Sequence, residues 1–152
     1  MSGLVIRPAT EVDRDAWMEL FRGYNAFYGV TLDDGALADI WRRVIDPSGG
    51  FLVLLALLDG RAVGLANCLV HPNTWSKAPD CYLEDLFVEP DQRGRGIARR
   101  LFETLAELRT EHGWRKVWWK TLSGNMTAQR LYDRVGRRTD WLHYEIGDDP
   151  AT

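Results

Sequence analysis

YLEDLFVEPDQRGRGIA, residues 82–98, decides how this chain is read. Tyr82 to Val88 has the apolar pattern of a strand and stops at Glu89-Pro90. A polar turn then carries Arg93-Gly94-Arg95-Gly96, and helical periodicity opens at Ile97. Strand, glycine-rich turn and helix in that order aim a row of free backbone N–H groups at one point, where an anionic group can sit. Gly94 and Gly96 let the backbone approach a ligand with no Cβ in the way. The turn is not a P-loop, since no Gly-Lys-Ser/Thr follows. It is not a dinucleotide fingerprint either, since a third glycine and a ribose-binding acid are missing.

Outward from this turn, the N-terminal side opens with a short strand, Leu4 to Arg7. Thr10 or Asp13 then caps a helix whose aromatic stripe, Trp17, Phe21, Tyr24 and Tyr28, has helical spacing and ends at Gly29. Leu32 to Val44 is a weaker helical pattern, stopped by Asp46-Pro47-Ser48-Gly49-Gly50. Phe51 to Leu58 and Ala62 to His71 read as two strands joined by the hairpin signal Asp59-Gly60, and Pro72 to Pro79 as a loop.

On the C-terminal side, Ile97, Leu101, Leu105 and Leu108 share one face of a helix that runs to His112 and stops at Gly113. Lys116 to Leu122 is a strand pattern. Asn125 caps a short helix with Ala128, Leu131, Tyr132 and Val135 inward, closed by Gly136. Thr139 to Ile146 predicts a last strand, and Gly147 to Thr152 a frayed end.

With 152 residues and no linker, repeat or low-complexity stretch, residues 1–152 read as a single α/β domain. A net charge of −3 gives no global basic field, so no nucleic-acid partner is expected, and Arg93, Arg95, Arg99 and Arg100 form a site-sized cluster. The longest apolar run, Phe51 to Leu58, is too short to span a bilayer. Two cysteines make no disulfide framework and no signal peptide is evident, so the expected setting is cytoplasmic. Cys81, close to the key strand, reads as a small buried thiol rather than a nucleophile. The histidines, cysteines and acids lack metal-ligand spacing, so no metal is expected.

Arg93-x-x-Gly96-x-Ala98 after a strand ending Val88-Glu89-Pro90 resembles the coenzyme A signature of the GCN5-related N-acetyltransferase (GNAT) superfamily. Asn125, with Tyr132 seven residues on and then Gly136, extends the likeness, which covers about Leu4 to Ile146. YLEDLFV together with N-x6-Y looks like the diamine and polyamine acetyltransferase branch and its bacterial relatives. The resemblance implies a mixed, mainly antiparallel sheet of about six to seven strands, splayed in the middle and flanked by about four helices. It implies acetyl-CoA as cosubstrate. The pantetheine arm would lie along Leu86, Phe87 and Val88, and the pyrophosphate would meet Arg93, Gly94, Arg95, Gly96, Ile97, Ala98 and Arg99. Asn125 would touch the arm, and a Leu86 or Phe87 N–H would face the thioester carbonyl.

Two side chains would then do the chemistry. Tyr132, which periodicity alone places equally well in the core, would protonate the departing thiolate. Glu84 would take a proton from the incoming ammonium, directly or through water. Strand alternation puts Glu84 and Asp85 on opposite faces, so Asp85 is expected to hold backbone or a basic partner instead. Tyr24 and Tyr28, with His71 at the mouth, are candidate substrate contacts, and aromatics with acids suit a cationic amine. The expected reaction is direct transfer to a small-molecule primary amine, a small cationic amine or polyamine favoured. A non-catalytic acyl-CoA sensor and a protein lysine or N-terminal acetyltransferase are the alternatives. A homodimer is a possible assembly. The chain after Gly136 has room for one extended strand where many relatives have two.

Overall fold

The computed structural model describes residues 3–148, so residues 149–152 of the expected frayed end lie outside it. Five strands form one sheet in sequence order: β1 (Leu4–Pro8), β2 (Phe51–Leu58), β3 (Arg61–His71), β4 (Asp80–Val88) and β5 (Val117–Trp118). β1 to β4 are antiparallel neighbours and β5 joins β4 in parallel. Helices α1 (Arg14–Phe27) and α2 (Asp34–Ile45) cover one face. On the other, α3 (Ile97–His112) and α4 (Met126–Val135) do so. Among the described residues no helix is long and apolar enough to cross a membrane.

Each face has its own core because the strands are apolar on both sides, as a sheet covered twice requires. Leu54, Val63, Cys68, Leu83, Leu101 and Leu105 pack on the α3 face. Trp17, Phe21, Leu37, Trp41, Leu55 and Phe87 pack on the α1 face, with the Trp17 and Phe21 rings stacked at 4.8 Å. The start of α1 is latched to β1. Asp13 accepts two hydrogen bonds from Arg7, at 2.7 and 2.9 Å, and one from the Thr10 N–H at 2.7 Å. These bonds hold the Asp13 carboxyl down at about 2, the Arg7 bond being the largest cause.

The C-terminal third departs from expectation. The strand expected over Lys116 to Leu122 shrinks to two residues, and Thr139 to Ile146 forms no strand, so the sheet has five strands instead of six or seven. β5 pairs with β4 only through Cys81–Val117 and Tyr82–Trp118 and then leaves it. What ties it down is local. Arg115 donates to both oxygens of the buried Asp80, at 2.7 and 2.6 Å, and the Cys81 N–H donates to the Lys116 carbonyl. Residues 139–146 have strand-like alternation but no neighbouring strand to complete a ladder, and a lone strand is not stable in water. Trp141 is 80%, Tyr144 85% and Ile146 fully exposed.

Candidate active site

β4 carries the site because it is the strand from which the sheet opens. Up to Tyr82 it has a neighbour on each side; beyond that its outer side is bare of strand, since β5 ends at Trp118. Leu86, Phe87 and Val88 lie along this bare edge, with the Phe87 and Val88 side chains buried on opposite faces. A row of unpaired backbone groups in a cleft is the place where an extended amide-bearing ligand adds as a strand would.

The turn that follows is built for an anion. Gly94 and Gly96 both sit at φ +78, in the left-handed region, and a Cβ on either would project into open space. The first backbone bond of α3 runs from the Arg100 N–H to the Gly96 carbonyl. The N–H groups of Gly94 to Arg99 are therefore uncommitted among the described residues, at the positive end of a 16-residue helix. A groove of about 250 Å³ beside them is lined by Leu4, Arg95, Gly96, Arg100 and Glu103. These features fit the diphosphate of a coenzyme A-type ligand.

The arginines divide by task. Arg93 folds back, donating from Nε to the Val88 carbonyl at 2.9 Å with its guanidinium 5.6 Å from the Phe87 ring centre. It pins the turn to the strand rather than presenting its charge outward. Arg99 pairs with Glu103 and Arg100 with Glu107 along α3, both at 3.1 Å. Arg95 has no such partner among the described residues and faces the groove. Ile97 is buried and Ala98 half-buried, so both contribute backbone here. Asn125 accepts from the Ala128 N–H at 3.3 Å, capping α4.

Tyr132 stands on α4, against the α3-side core. Its ring meets Phe102 and Trp119 edge to face, both with centroids 5.6 Å away. Burial, and then the nearby Tyr28, raises its pKa above the usual phenol value, so it stays protonated and able to donate. Tyr28 in turn packs on Tyr24, centroids 5.1 Å apart, at the C-terminal end of α1. The aromatic stripe thus has two parts: Trp17 and Phe21 are core, while Tyr24 and Tyr28 are half-buried at the C-terminal end of α1.

The two acids of β4 correct the alternation argument. Asn67 pairs with Asp85 and Cys68 with Leu83, leaving Glu84 as an extra residue in a bulge. Leu83 and Leu86 both join the α3-side core, so the two residues between them share the α1 side. Asp85 is not tied to a basic group. It accepts from Asn67 Nδ2 at 3.0 Å, and Asn67 accepts from Trp17 Nε1 at 2.9 Å. Burial, opposed by the Asn67 bond and reinforced by Glu84, pushes the Asp85 carboxyl up to about 6. Glu84 itself is exposed.

His71 stands at the end of β3, where Trp118 Nε1 donates to its Nε2 at 3.4 Å, and Trp118 stacks on Tyr82 at 4.2 Å. Sequence reasoning missed Asn67, Trp119 and the free role of Asp85. Asn67 had a signal, a single amide within the apolar run of Leu65 to Val70. Among the described residues no three His, Cys, Asp or Glu side chains group as metal ligands do.

The sequence profile of the acetyltransferase (GNAT) family matches residues 15–136. The chain belongs to that family. This GNAT chain is an N-acetyltransferase, and its splayed sheet is the family's fold with a short final edge. It is 30% identical over 144 residues, 93% of its length and 89% of the relative's, to the D-amino-acid N-acetyltransferase HPA3 of Saccharomyces cerevisiae. Its fold matches an aminoglycoside acetyltransferase from an uncultured soil metagenomic sample, in complex with trehalose, with a TM-score of 0.83 at 21% identity, covering 97% of both chains. It also matches the aminoglycoside N-acetyltransferase AAC(6')-Iy in complex with CoA, with a TM-score of 0.78 at 23% identity, covering 95% of this chain and 94% of the other.

Proposed function

We propose that the protein uses acetyl-CoA to acetylate a primary amine by direct transfer, with a small cationic amine favoured as acceptor. The observation that carries this reading is the pairing, on one strand, of an uncommitted N–H turn at its end with two acids on the acceptor face at its middle. The turn from Gly94 to Arg99 holds the diphosphate, and Arg95 adds charge at the groove. Leu86 to Val88 hold the pantetheine arm through backbone, and the Leu86 or Phe87 N–H stabilises the developing oxyanion. Tyr132 gives its proton to the departing sulfur, and the carboxylates at the bulge draw in and deprotonate the ammonium.

Acidic and aromatic side chains around the acceptor side, namely Glu84, Asp85, Tyr24, Tyr28 and Tyr82, suit a cation. The acceptors named for the relatives, D-amino acids and aminoglycosides, also carry primary amines. The test is acetyl-CoA-dependent thiol release across diamines, polyamines, D- and L-amino acids, aminoglycosides and a lysine peptide. Release with one cationic class, and little with the neutral amines, is expected. Release with the peptide alone would replace the small acceptor by a protein.

We infer in addition that the protein acts as a homodimer through residues 139–146, because Trp141, Leu142, Tyr144 and Ile146 are too apolar to remain so exposed in water. Sedimentation of the wild type against the Leu142→Glu/Ile146→Glu variant tests it. A wild type that sediments as a monomer removes the dimer.

A further inference from the structure

Asp85 is a partly buried carboxylate with a supporting structure of its own and no cation to meet it. None of the ion pairs among the described residues involves Asp85 or Glu84. Burying an acid without a counter-charge is costly, and such a group persists where something that arrives later supplies the charge. Its support is long-range and specific. Trp17 on α1 fixes Asn67 on β3, and Asn67 spends its amide on one oxygen of Asp85. The same indole lies at the bottom of the α1 core, fully buried.

We propose that Asp85, rather than Glu84, is the catalytic base that receives the ammonium proton, and that Trp17, Asn67 and Tyr24 are the positioning residues that hold it in register with Tyr132. The proposal rests on the acetyl-transfer reading above and assigns its base. Geometry distinguishes the two acids. Glu84 is the extra residue of the bulge, exposed and without a hydrogen bond among the described residues. Asp85 is held by Asn67 of β3 and lies near Tyr24 of α1, whose packing partner Tyr28 neighbours Tyr132.

Near Asp85 lie Glu84 and Tyr82 from β4, Asn67 and Cys68 from β3, and Tyr24 from α1, with Tyr28 behind it. Burial and Glu84 favour its protonated form, whereas Asn67 and Tyr24 favour its ionised form. Near neutral pH the ionised form is available, yet it is basic enough to take a proton, which is the compromise a general base needs.

Asp85 takes one proton from the acceptor's ammonium. The freed amine attacks the thioester carbonyl, the new C–N bond forms and the C–S bond breaks. Tyr132 hands its phenolic proton to the sulfur and recovers one from the acylated nitrogen, directly or through solvent. The proton on Asp85 leaves to water before the next turnover.

The test compares Asp85→Asn, Glu84→Gln and Tyr24→Phe in the full-length protein, with the best acceptor of the panel, across pH 5 to 9. For Asp85→Asn, kcat/KM is expected to fall by about 100-fold or more, with acetyl-CoA affinity within about twofold of wild type. The loss in Glu84→Gln should be at least about tenfold smaller. In Tyr24→Phe the acid limb of the kcat/KM profile should move to higher pH, because a group favouring the ionised carboxylate is gone. A merely structural role for Tyr24 would lower the profile without moving its limb.

A second readout needs no acceptor at all. In protein carrying 13C-labelled aspartate carboxyls, the resonance missing from Asp85→Asn should titrate near pH 6 and move up in Tyr24→Phe. A midpoint at or below pH 4 overturns the proposal whatever the acceptor proves to be. So does a Glu84→Gln loss equal to that of Asp85→Asn. A protein that binds acetyl-CoA, shows the pH 6 titration and acetylates no amine in the panel would instead remove the small-amine reading and leave the base assignment standing.

Discussion

The donor and acceptor sides of β4 are held by different means. The donor side is local: the stretch between Val88 and Ile97, with two glycines at positive φ, and the first turn of α3, whose backbone N–H groups are uncommitted among the described residues. The acceptor side is assembled from far apart in the chain. Trp17 reaches Asn67 across 50 positions, Arg115 reaches Asp80 across 35, and Tyr28 comes to Tyr132 from the other face of the sheet. On the proposed function the first meets a group that never changes, a diphosphate, with atoms that every residue has. The second must suit one acceptor, and only side chains can differ enough to do that.

Substitutions that strike one side and spare the other put this contrast to the test. The largest effect is expected from Gly96→Glu. A Cβ at φ +78 costs about 1–2 kcal/mol, and the carboxylate would stand where the diphosphate sits. Acetyl-CoA affinity by calorimetry should fall by more than about 100-fold, with the thermal midpoint only modestly lower. Retained affinity would take the diphosphate away from this turn. Next comes Tyr132→Phe, for which kcat should drop by about 100-fold with acetyl-CoA affinity little changed. A parallel loss of affinity would move Tyr132 from acid to packing residue.

Asp85→Asn should have an opposite effect on stability. With its folded pKa raised to about 6, the Asp85 carboxyl binds its proton more tightly folded than unfolded. Its contribution therefore weakens as pH rises from about 4 to about 6 and stays unfavourable above that. The variant should lose this slope and gain up to roughly 3 kcal/mol at pH 7 in denaturant titrations. A slope that survives the substitution means that another group titrates there.

The smallest effect is at the latch of α1. Asp13, held down at about 2, contributes stability that is present above about 4 and is lost as pH falls toward 2. Asp13→Asn should flatten the acid limb of stability and leave acetyl-CoA affinity untouched. A change in affinity would show that the latch reaches the donor side after all.

The same division governs what was legible in the residues. The turn, Arg93 to Gly96, and the helices around Leu101 and Leu131 follow from local pattern and survive almost to the residue. Glu84 and Asp85 did not, because alternation assumes an unbroken ladder and nothing in YLEDLFV marks a bulge. The bulge lies in β4 and shows only in its pairing with Asn67 and Cys68 of β3. Trp119 read as a strand residue and is instead a wall for Tyr132. Thr139 to Ile146 alternates as a strand should, but a strand needs a neighbour, and β5 offers two residues. Asn67 was visible as an oddity whose use depended on an indole 50 positions away.

The two cysteines, set aside above as packing, make a reporter. Cys68 and Cys81 are free, fully buried on the α3 face and beside one another, and this contact together with burial holds the Cys68 thiol well above its ordinary pKa. A thiol reagent added to the native protein meets neither sulfur, so colour developed during turnover counts released coenzyme alone. Over hours the same reagent will label both sulfurs at the pace at which the central strands part. The enzyme thus carries, unmodified, a gauge of how often its sheet opens.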